Sequence, residues 1–318
     1  MEALIAVTYR CNAKCYMCNT WKYPSRSEDE ITPRDIDKLP SGLKFVNITG
    51  GEPFTHEYIE EIISVASRKT RRLVISTNGF FTDKIVDIAK KYPSIGVRVS
   101  IEGLPASNDR LRGIQDGFDH GLRTLLRLHE LGLKDIGFGI TISDRNAKDL
   151  NELYTLSEKL GMEFATATVH NNFYFHKYDN RIENKDEVIT ELRKLEKRML
   201  ASKKPKSWFR AFFNEGLVNF IRGNERLLPC GMGKDVFFVD PFGDIMPCNG
   251  LNMSMGNIKE QSFEEIWFGQ KAKEVRLAVK ECDKNCWMVG SASPAMKKSI
   301  LVPIKWILQN KWRKEIGN

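Results

Sequence analysis

From Leu4 to about Val169 the chain alternates short runs of consecutive apolar residues with longer stretches whose apolar positions recur at helical spacing. The short runs, at 4–8, 45–49, 72–76, 97–101, 136–143 and 163–169, predict six strands. Helix signals lie between them. Thr32-Pro33-Arg34-Asp35 supplies an N-cap, a proline at the first helical position and an acid three residues after the cap. Thr82 is the predicted cap of a helix running to Lys91. Segments 122–131 and 150–160 are amphipathic and end at Gly132 and Gly161. Six successive β/α units predict an α/β protein built on a parallel sheet, either curled as a partial (β/α)6 barrel or open.

The pattern then changes. Residues 181–204 form a highly charged helical stretch, followed by an aromatic-rich segment from Trp208 to Phe220. Beyond it, Val236 to Val239, a Pro241-Phe242-Gly243 turn and a return to Cys248 predict a hairpin. Ser262-Phe263-Glu264-Glu265 is a capping-box start. These shifts divide the chain into a barrel domain (1–180), a helical bridge (181–224), a small α+β domain (225–290) and a C-terminal tail (291–318).

The 318 residues suffice for a large core, and a hydrophobic content of 42% with 28% charged residues is ordinary for a globular protein. The start, MEALIAVTYR, lacks the basic and long apolar regions of a secretory signal, so a cytoplasmic location is expected. The net charge of +8 is concentrated: residues 297–318 hold six basic residues and one acid. A nucleic-acid-binding face across the body is therefore not expected. With Trp306, Trp312 and several aliphatic residues, the tail predicts a basic amphipathic helix. It would either make peripheral contact with an anionic membrane or pack on the protein with its lysines in water.

The seven cysteines bring in chemistry. They fall into two groups, Cys11, Cys15 and Cys18, then Cys230, Cys248, Cys282 and Cys286. An odd number in such a chain argues against a disulfide framework and for metal or redox chemistry. The first group follows strand one at C-x3-C-x2-C spacing. Three thiolates can hold three corners of a [4Fe–4S] cluster and leave one iron open, whereas structural zinc takes four ligands.

Strand two ends in Gly50-Gly51-Glu52-Pro53. The cysteine triplet after one strand and this turn after the next resemble the radical S-adenosylmethionine (SAM) superfamily. The resemblance implies that the amine and carboxylate of SAM bind the open iron. One electron then cleaves the sulfonium, giving a 5′-deoxyadenosyl radical that abstracts hydrogen from a substrate. It implies SAM contacts at Met17, Gly50, Gly51, Glu52, Asn78, Ser100, Glu102, Arg112 and Thr141. The family more often has Asp where this chain has Glu102, and an aromatic residue at the position of Met17.

The segment from Cys230 to Cys286 resembles the SPASM/Twitch extension of that superfamily. Complete SPASM domains carry more cysteines, so four imply the shorter Twitch form with one auxiliary [4Fe–4S] cluster; a four-cysteine zinc site is the physical competitor. A fully ligated second cluster suits a two-electron oxidation, a dehydrogenation in which the substrate radical loses a proton and passes an electron on. Alternatives are a peptide-modifying or C–C/C–S bond-forming maturase and, in another class, a non-enzymatic cysteine-rich metal-binding protein. The chain begins close to strand one, so no peptide-recognition domain is expected ahead of it, which favours a small-molecule or carrier-linked substrate over a peptide. A flavodoxin- or ferredoxin-type reductant is implied. Thr141, Ser143, His170, Asn171, Tyr174 and Arg210 are the expected pocket residues, with His170 the candidate base for deprotonation.

Overall fold

The computed structural model describes residues 1–311. Trp312, Arg313, Lys314 and Glu315 of the predicted tail lie outside them.

Six parallel strands form in the predicted order: β1 (Glu2–Ala6), β2 (Phe45–Thr49), β3 (Leu73–Thr77), β4 (Gly96–Ser100), β5 (Ile136–Ile142) and β6 (Glu163–Thr168). The hairpin strands β7 (Val236–Val239) and β8 (Asp244–Met246) follow, with a short β9 (Gly256–Asn257). Helices α1 (Pro33–Asp37), α2 (Ile59–Lys69), α3 (Thr82–Lys91), α4 (Pro105–Arg112), α5 (Gly117–Glu130) and α6 (Leu150–Lys159) alternate with the first six strands. Then come α7 (Lys185–Ala201), α8 (Pro205–Ile221), α9 (Phe263–Phe268), α10 (Gln270–Lys280), α11 (Val289–Lys298) and α12 (Leu301–Lys311).

All nine strands join one open sheet in the order β6-β5-β4-β3-β2-β1-β7-β8-β9. The hairpin is thus continuous with the partial barrel: β7 lies parallel to β1, with Glu2 opposite Val236 and Ile5 opposite Val239. Flanked by β2 and β7, β1 is central, which is why Ala3, Ile5 and Ala6 are fully buried. The all-apolar β7, Val-Phe-Phe-Val, is buried along its length for the same reason.

Several boundaries depart from expectation for local reasons. Strand β1 starts two residues early because Glu2 and Ala3 pair with β2 and β7, and ends two early as the Thr8 hydroxyl bonds Glu30 at the start of the cysteine loop. Ser143 drops out of β5 because its N–H donates to Asn146 Oδ1 at 2.8 Å, closing a turn. Thr82 is not a cap: Phe81 holds that position, and the Thr82 hydroxyl lies 2.7 Å from that of Thr124 on α5. The Thr32 and Ser262 capping boxes form as read, and Gly132 and Gly161 take the left-handed conformation just beyond α5 and α6.

The charged stretch folds as α7, with Asn184 capping it through Glu187 N–H at 3.2 Å. Its apolar face, Leu192, Leu195 and Met199, is buried against α8. Helix α12 packs on both, burying Pro303 and Ile307 and setting Trp306 edge-on to Phe212. Most tail lysines are engaged: Lys297 pairs with Glu2 (2.8 Å), Lys298 with Asp235 (3.0 Å), and Lys311 lies over the Trp208 ring. Leu301 and Leu308 remain exposed on α12 (76% and 54%). Among the described residues no helix is long and apolar enough to cross a membrane.

Candidate active site

At the C-terminal mouth of the sheet, three loops are tied together. The β2 turn docks on the chain leaving β1: Gly51 N–H donates to Thr8 O (2.7 Å) and Glu52 N–H to Arg10 O (2.8 Å). A Cβ on Gly50 would lie 2.6 Å from Thr8 O, and one on Gly51 2.3 Å from Arg10 O. Close approach of the chain's own backbone therefore accounts for both glycines. On its other side, the cysteine loop is pinned to the end of α4 by Lys14 N–H to Arg112 O (3.0 Å) and Tyr16 N–H to Leu111 O (2.8 Å). Gly113, left-handed at φ +57°, ends α4 where a Cβ would meet Lys14 O at 2.5 Å.

This frame holds Cys11, Cys15 and Cys18 in one loop, all as free thiols. Burial pushes Cys11 up to about 12 and Cys15 up to about 11, and also raises Cys18; the Arg112 guanidinium opposes the rise at each. Ala13 N–H points at Cys11 Sγ (3.4 Å), and the Thr20 hydroxyl lies 2.8 Å from Cys18 Sγ. Buried thiols with donors aimed at sulfur suit a bound cation, which deprotonates the thiols it coordinates. Among the described residues no three His, Cys, Asp or Glu side chains gather tightly enough to hold a single metal ion. A cluster of several irons spreads its thiolates over a wider span than one ion does.

The two predicted carboxylates are buried and already bonded. Glu52 accepts from Thr77 Oγ1 (2.7 Å), Asn78 N–H (2.7 Å) and Phe54 N–H (3.2 Å). Glu102 accepts from Arg112 Nη1 (3.0 Å) and Thr141 N–H (2.6 Å). Burial raises both carboxyls and Arg112 lowers both. Glu102 and Arg112, expected to contact SAM separately, thus form one ion pair, and Thr141 enters through its backbone. Two donors beside this pair are left over: Arg112 Nε and Asn12 Nδ2 are buried without partners. Asn12 is fixed by Asn78 Nδ2 on its Oδ1 (2.7 Å). Unspent donors at a mouth lined by thiols fit an anionic or carboxylate-bearing ligand. Ser100 ends β4 at the same mouth, half-buried.

The loop after β6 closes over these elements. Tyr174 OH donates to Gly50 O (2.8 Å), Asn19 Nδ2 to His176 O (3.0 Å) and Asn180 Nδ2 to Met17 O (3.0 Å). His170 donates from Nδ1 to Thr168 O (2.7 Å), leaving Nε2 buried with a free lone pair. Burial lowers its pKa, keeping the ring neutral. Ser143 and Asn171 serve local turns through Asn146 and Asn180. Arg210 is misplaced by the sequence reading: it pairs with Glu163 and bonds Phe164 O at the start of β6, the opposite end of the sheet.

Sequence reasoning also missed a buried network beneath the cysteine loop. Glu30 accepts from Thr8, from Ser25 (2.6 Å) and from Arg10 Nη2 (2.7 Å), with His56 Nε2 at 3.4 Å. These partners are scattered from Thr8 to His56, and no local pattern marks them.

The second cysteine group gathers around β8. Burial pushes Cys248 up to about 11, with Cys230 and Cys286 adding to the rise; Cys282 acts likewise on Cys286. The four thiols therefore sense one another across three separate segments. Trp287, next to Cys286, anchors the site on α8 through its indole N–H to Phe213 O (2.8 Å). Gly216 makes room for it, since a Cβ there would lie 2.0 Å from the indole.

Comparison with known proteins agrees with this layout. A family model described as the Radical SAM superfamily matches residues 5–156, and one described as an iron–sulfur cluster-binding domain, SPASM, matches residues 230–288. The chain is 35% identical over 161 residues to Fe-coproporphyrin III synthase of Methanosarcina barkeri, a match covering 48% of this chain and only 40% of that protein. It is 29% identical over 290 residues to the AdoMet-dependent heme synthase of the same organism, covering 82% of this chain and 80% of the relative. The solved structure of Streptococcus suis SuiB shares the fold with a TM-score of 0.67 at 18% identity, over 88% of this chain and 68% of SuiB. A non-enzymatic metal module does not account for relatives named as synthases. The chain belongs to the radical SAM superfamily, as an enzyme that uses SAM and a [4Fe–4S] cluster and carries a C-terminal SPASM-type domain for auxiliary iron–sulfur chemistry.

Proposed function

We propose that this enzyme removes two electrons from a small or carrier-linked substrate, a dehydrogenation for which the second cluster accepts the last electron. Cys11, Cys15 and Cys18 hold the SAM-binding cluster, and Cys230, Cys248, Cys282 and Cys286 hold one auxiliary [4Fe–4S] cluster. When bound, these groups supply a hydrogen-abstracting radical and an electron acceptor. Arg112, steadied by Glu102, would offer its unpaired Nε to the SAM carboxylate, and Asn12, held by Asn78, would offer its own free amide donor. Ser100, Thr141 and the Met17 backbone border the same space. Gly50, Gly51 and Glu52 shape the turn that closes it. His170 takes the substrate proton at Nε2: it is neutral, its tautomer is fixed by Thr168 O, and its lone pair has no other use.

One observation carries the oxidative reading. The first cysteine group follows the end of β1, and the second brackets the start of the neighbouring β7 and the end of β8, at the other end of the strands. Leu4 of β1 links them, packing both on the Tyr9–Tyr174–Phe238 cluster under the mouth and on Met232, Val236 and Cys248. An acceptor joined to the mouth through one packed residue of β1 suits removal of an electron from a substrate bound there.

Replacing His170 by alanine is expected to leave SAM cleavage intact and lower oxidised product by about 100-fold or more. Mass spectrometry of the product beside 5′-deoxyadenosine assays reads both quantities. Product at the substrate's own oxidation level would contradict the proposal and favour a rearranging or bond-forming maturase. Tetrapyrroles are the first small-molecule probes, because two relatives are named for iron coproporphyrin III and heme. A precursor peptide is the second, because SuiB is solved with one.

We assign the remaining features on the same footing. The barrel, bridge and Twitch units keep the divisions at 180, 224 and 290, a flavodoxin or ferredoxin supplies the first electron, and the enzyme works in the cytoplasm. The exposed ridge of Leu301, Ile304 and Leu308, with Lys305 on the same helix, supports contact with an anionic membrane surface. Flotation with anionic vesicles is expected for the intact chain and not for Leu301→Ser/Leu308→Ser; equal flotation of both would remove this contact.

A further inference from the structure

The first cysteine loop has neutralised cations beside it. Arg112 is paired with Glu102 at 3.0 Å, and Lys177, which acts on Cys18, with Asp179 at 2.9 Å. The second group is built differently. Arg226 donates from Nε to Leu228 O (2.8 Å), from Nη1 to Cys286 O and to Ser291 Oγ (3.2 Å), and from Nη2 to Ser291 O (3.0 Å). Its guanidinium lies 5.3 Å from the centre of the Trp287 ring. Every one of these acceptors is neutral. Lys284 donates to Gly250 O (2.8 Å), and Gly250 N–H in turn points at Cys248 Sγ (3.3 Å). Among the described residues neither cation has a carboxylate partner, yet Arg226 is drawn electrostatically to Cys230, Cys282 and Cys286, and Lys284 to Cys286.

We infer that Arg226 and Lys284 are unneutralised cations that raise the reduction potential of the second cluster, making it the better electron acceptor of the two. The inference rests on the oxidative reading above and names the residues that give that reading its direction. A four-thiolate cluster is anionic and gains one more negative charge on reduction, so a nearby fixed cation favours the reduced form. The effect is larger where water screens it less; Arg226 is half-buried and held in place by the carbonyls of Leu228, Cys286 and Ser291, whereas Lys284 is exposed. An arginine also stays charged throughout the working pH range. At the first site the same charge is cancelled by Glu102, which leaves that cluster the stronger reductant.

The test is an EPR-monitored redox titration of the full chain carrying Cys11→Ala, Cys15→Ala and Cys18→Ala, so that only the second cluster contributes. Adding Arg226→Gln and Lys284→Gln together is expected to raise the oxidised-to-reduced ratio at the parent midpoint at least about tenfold, a fall of about 59 mV for one electron. Arg226→Lys, which keeps the charge, is expected to recover most of the shift. An unchanged midpoint with full iron content overturns the inference. If Arg226→Gln loses its iron, Lys284→Gln alone decides, a downward shift supporting the inference and an unchanged midpoint overturning it. Neither SAM nor substrate is present, so a shifted midpoint in an enzyme that yields no oxidised product would count against the oxidative reading and leave this one standing.

Discussion

Changing Cys11, Cys15 and Cys18 together to alanine is expected to abolish reductive cleavage of SAM while roughly half of the reconstituted iron remains. The loss follows from placement: the three thiols share one loop fixed at both ends, by the β2 turn on one side and α4 on the other. The retained iron follows from independence, since the second group is assembled by β8 and the segment after α10 and is anchored on α8 by Trp287. Iron analysis and 5′-deoxyadenosine assays on one preparation check both halves. Residual cleavage would place the SAM-binding cluster elsewhere.

Arg112→Leu is expected to damage folding and cofactor binding together. Glu102 would be left buried with only the Thr141 N–H, and stranding one member of a buried ion pair costs about 3–5 kcal/mol. SAM affinity is expected to fall at least about tenfold with the loss of a charged donor. The double change Arg112→Leu with Glu102→Gln separates these effects: removing the stranded charge restores most of the thermal stability and none of the affinity. Arg112→Lys is expected to fall between, because an ammonium cannot reproduce the fork that reaches Glu102 with one nitrogen and leaves another free. Thermal unfolding and calorimetric titration with SAM measure the two quantities. Recovery of affinity in the double variant would show that Arg112 acts only by supporting the fold.

Local patterns carried much of this architecture. The six strands were visible because each is a buried apolar run with helix signals between, and the first cysteine group was visible because its C-x3-C-x2-C spacing is a local property. What depends on distant pairing was not. Nothing near Val236 announces that it lies beside Glu2, so the continuity of the hairpin with the barrel sheet was not legible. Arg210 was expected in the pocket because it lies in the segment between the domains, but Glu163 draws it to the far end of β6. That Glu102 and Arg112 pair with each other was not legible, because ten positions of sequence do not reveal that a helix returns the arginine to its partner. Arg226 went unnoticed because the cysteines it faces, Cys230, Cys282 and Cys286, come from two segments far apart in sequence.

The first cysteine loop is the centre of the account, and a spectroscopic titration addresses it most directly. Anaerobically reconstituted, dithionite-reduced protein should change its EPR spectrum when SAM is added, as the open iron gains nitrogen and oxygen ligands. The change should vanish in the Cys11, Cys15 and Cys18 triple variant. A reduced iron–sulfur signal that stays the same at saturating SAM would contradict the account.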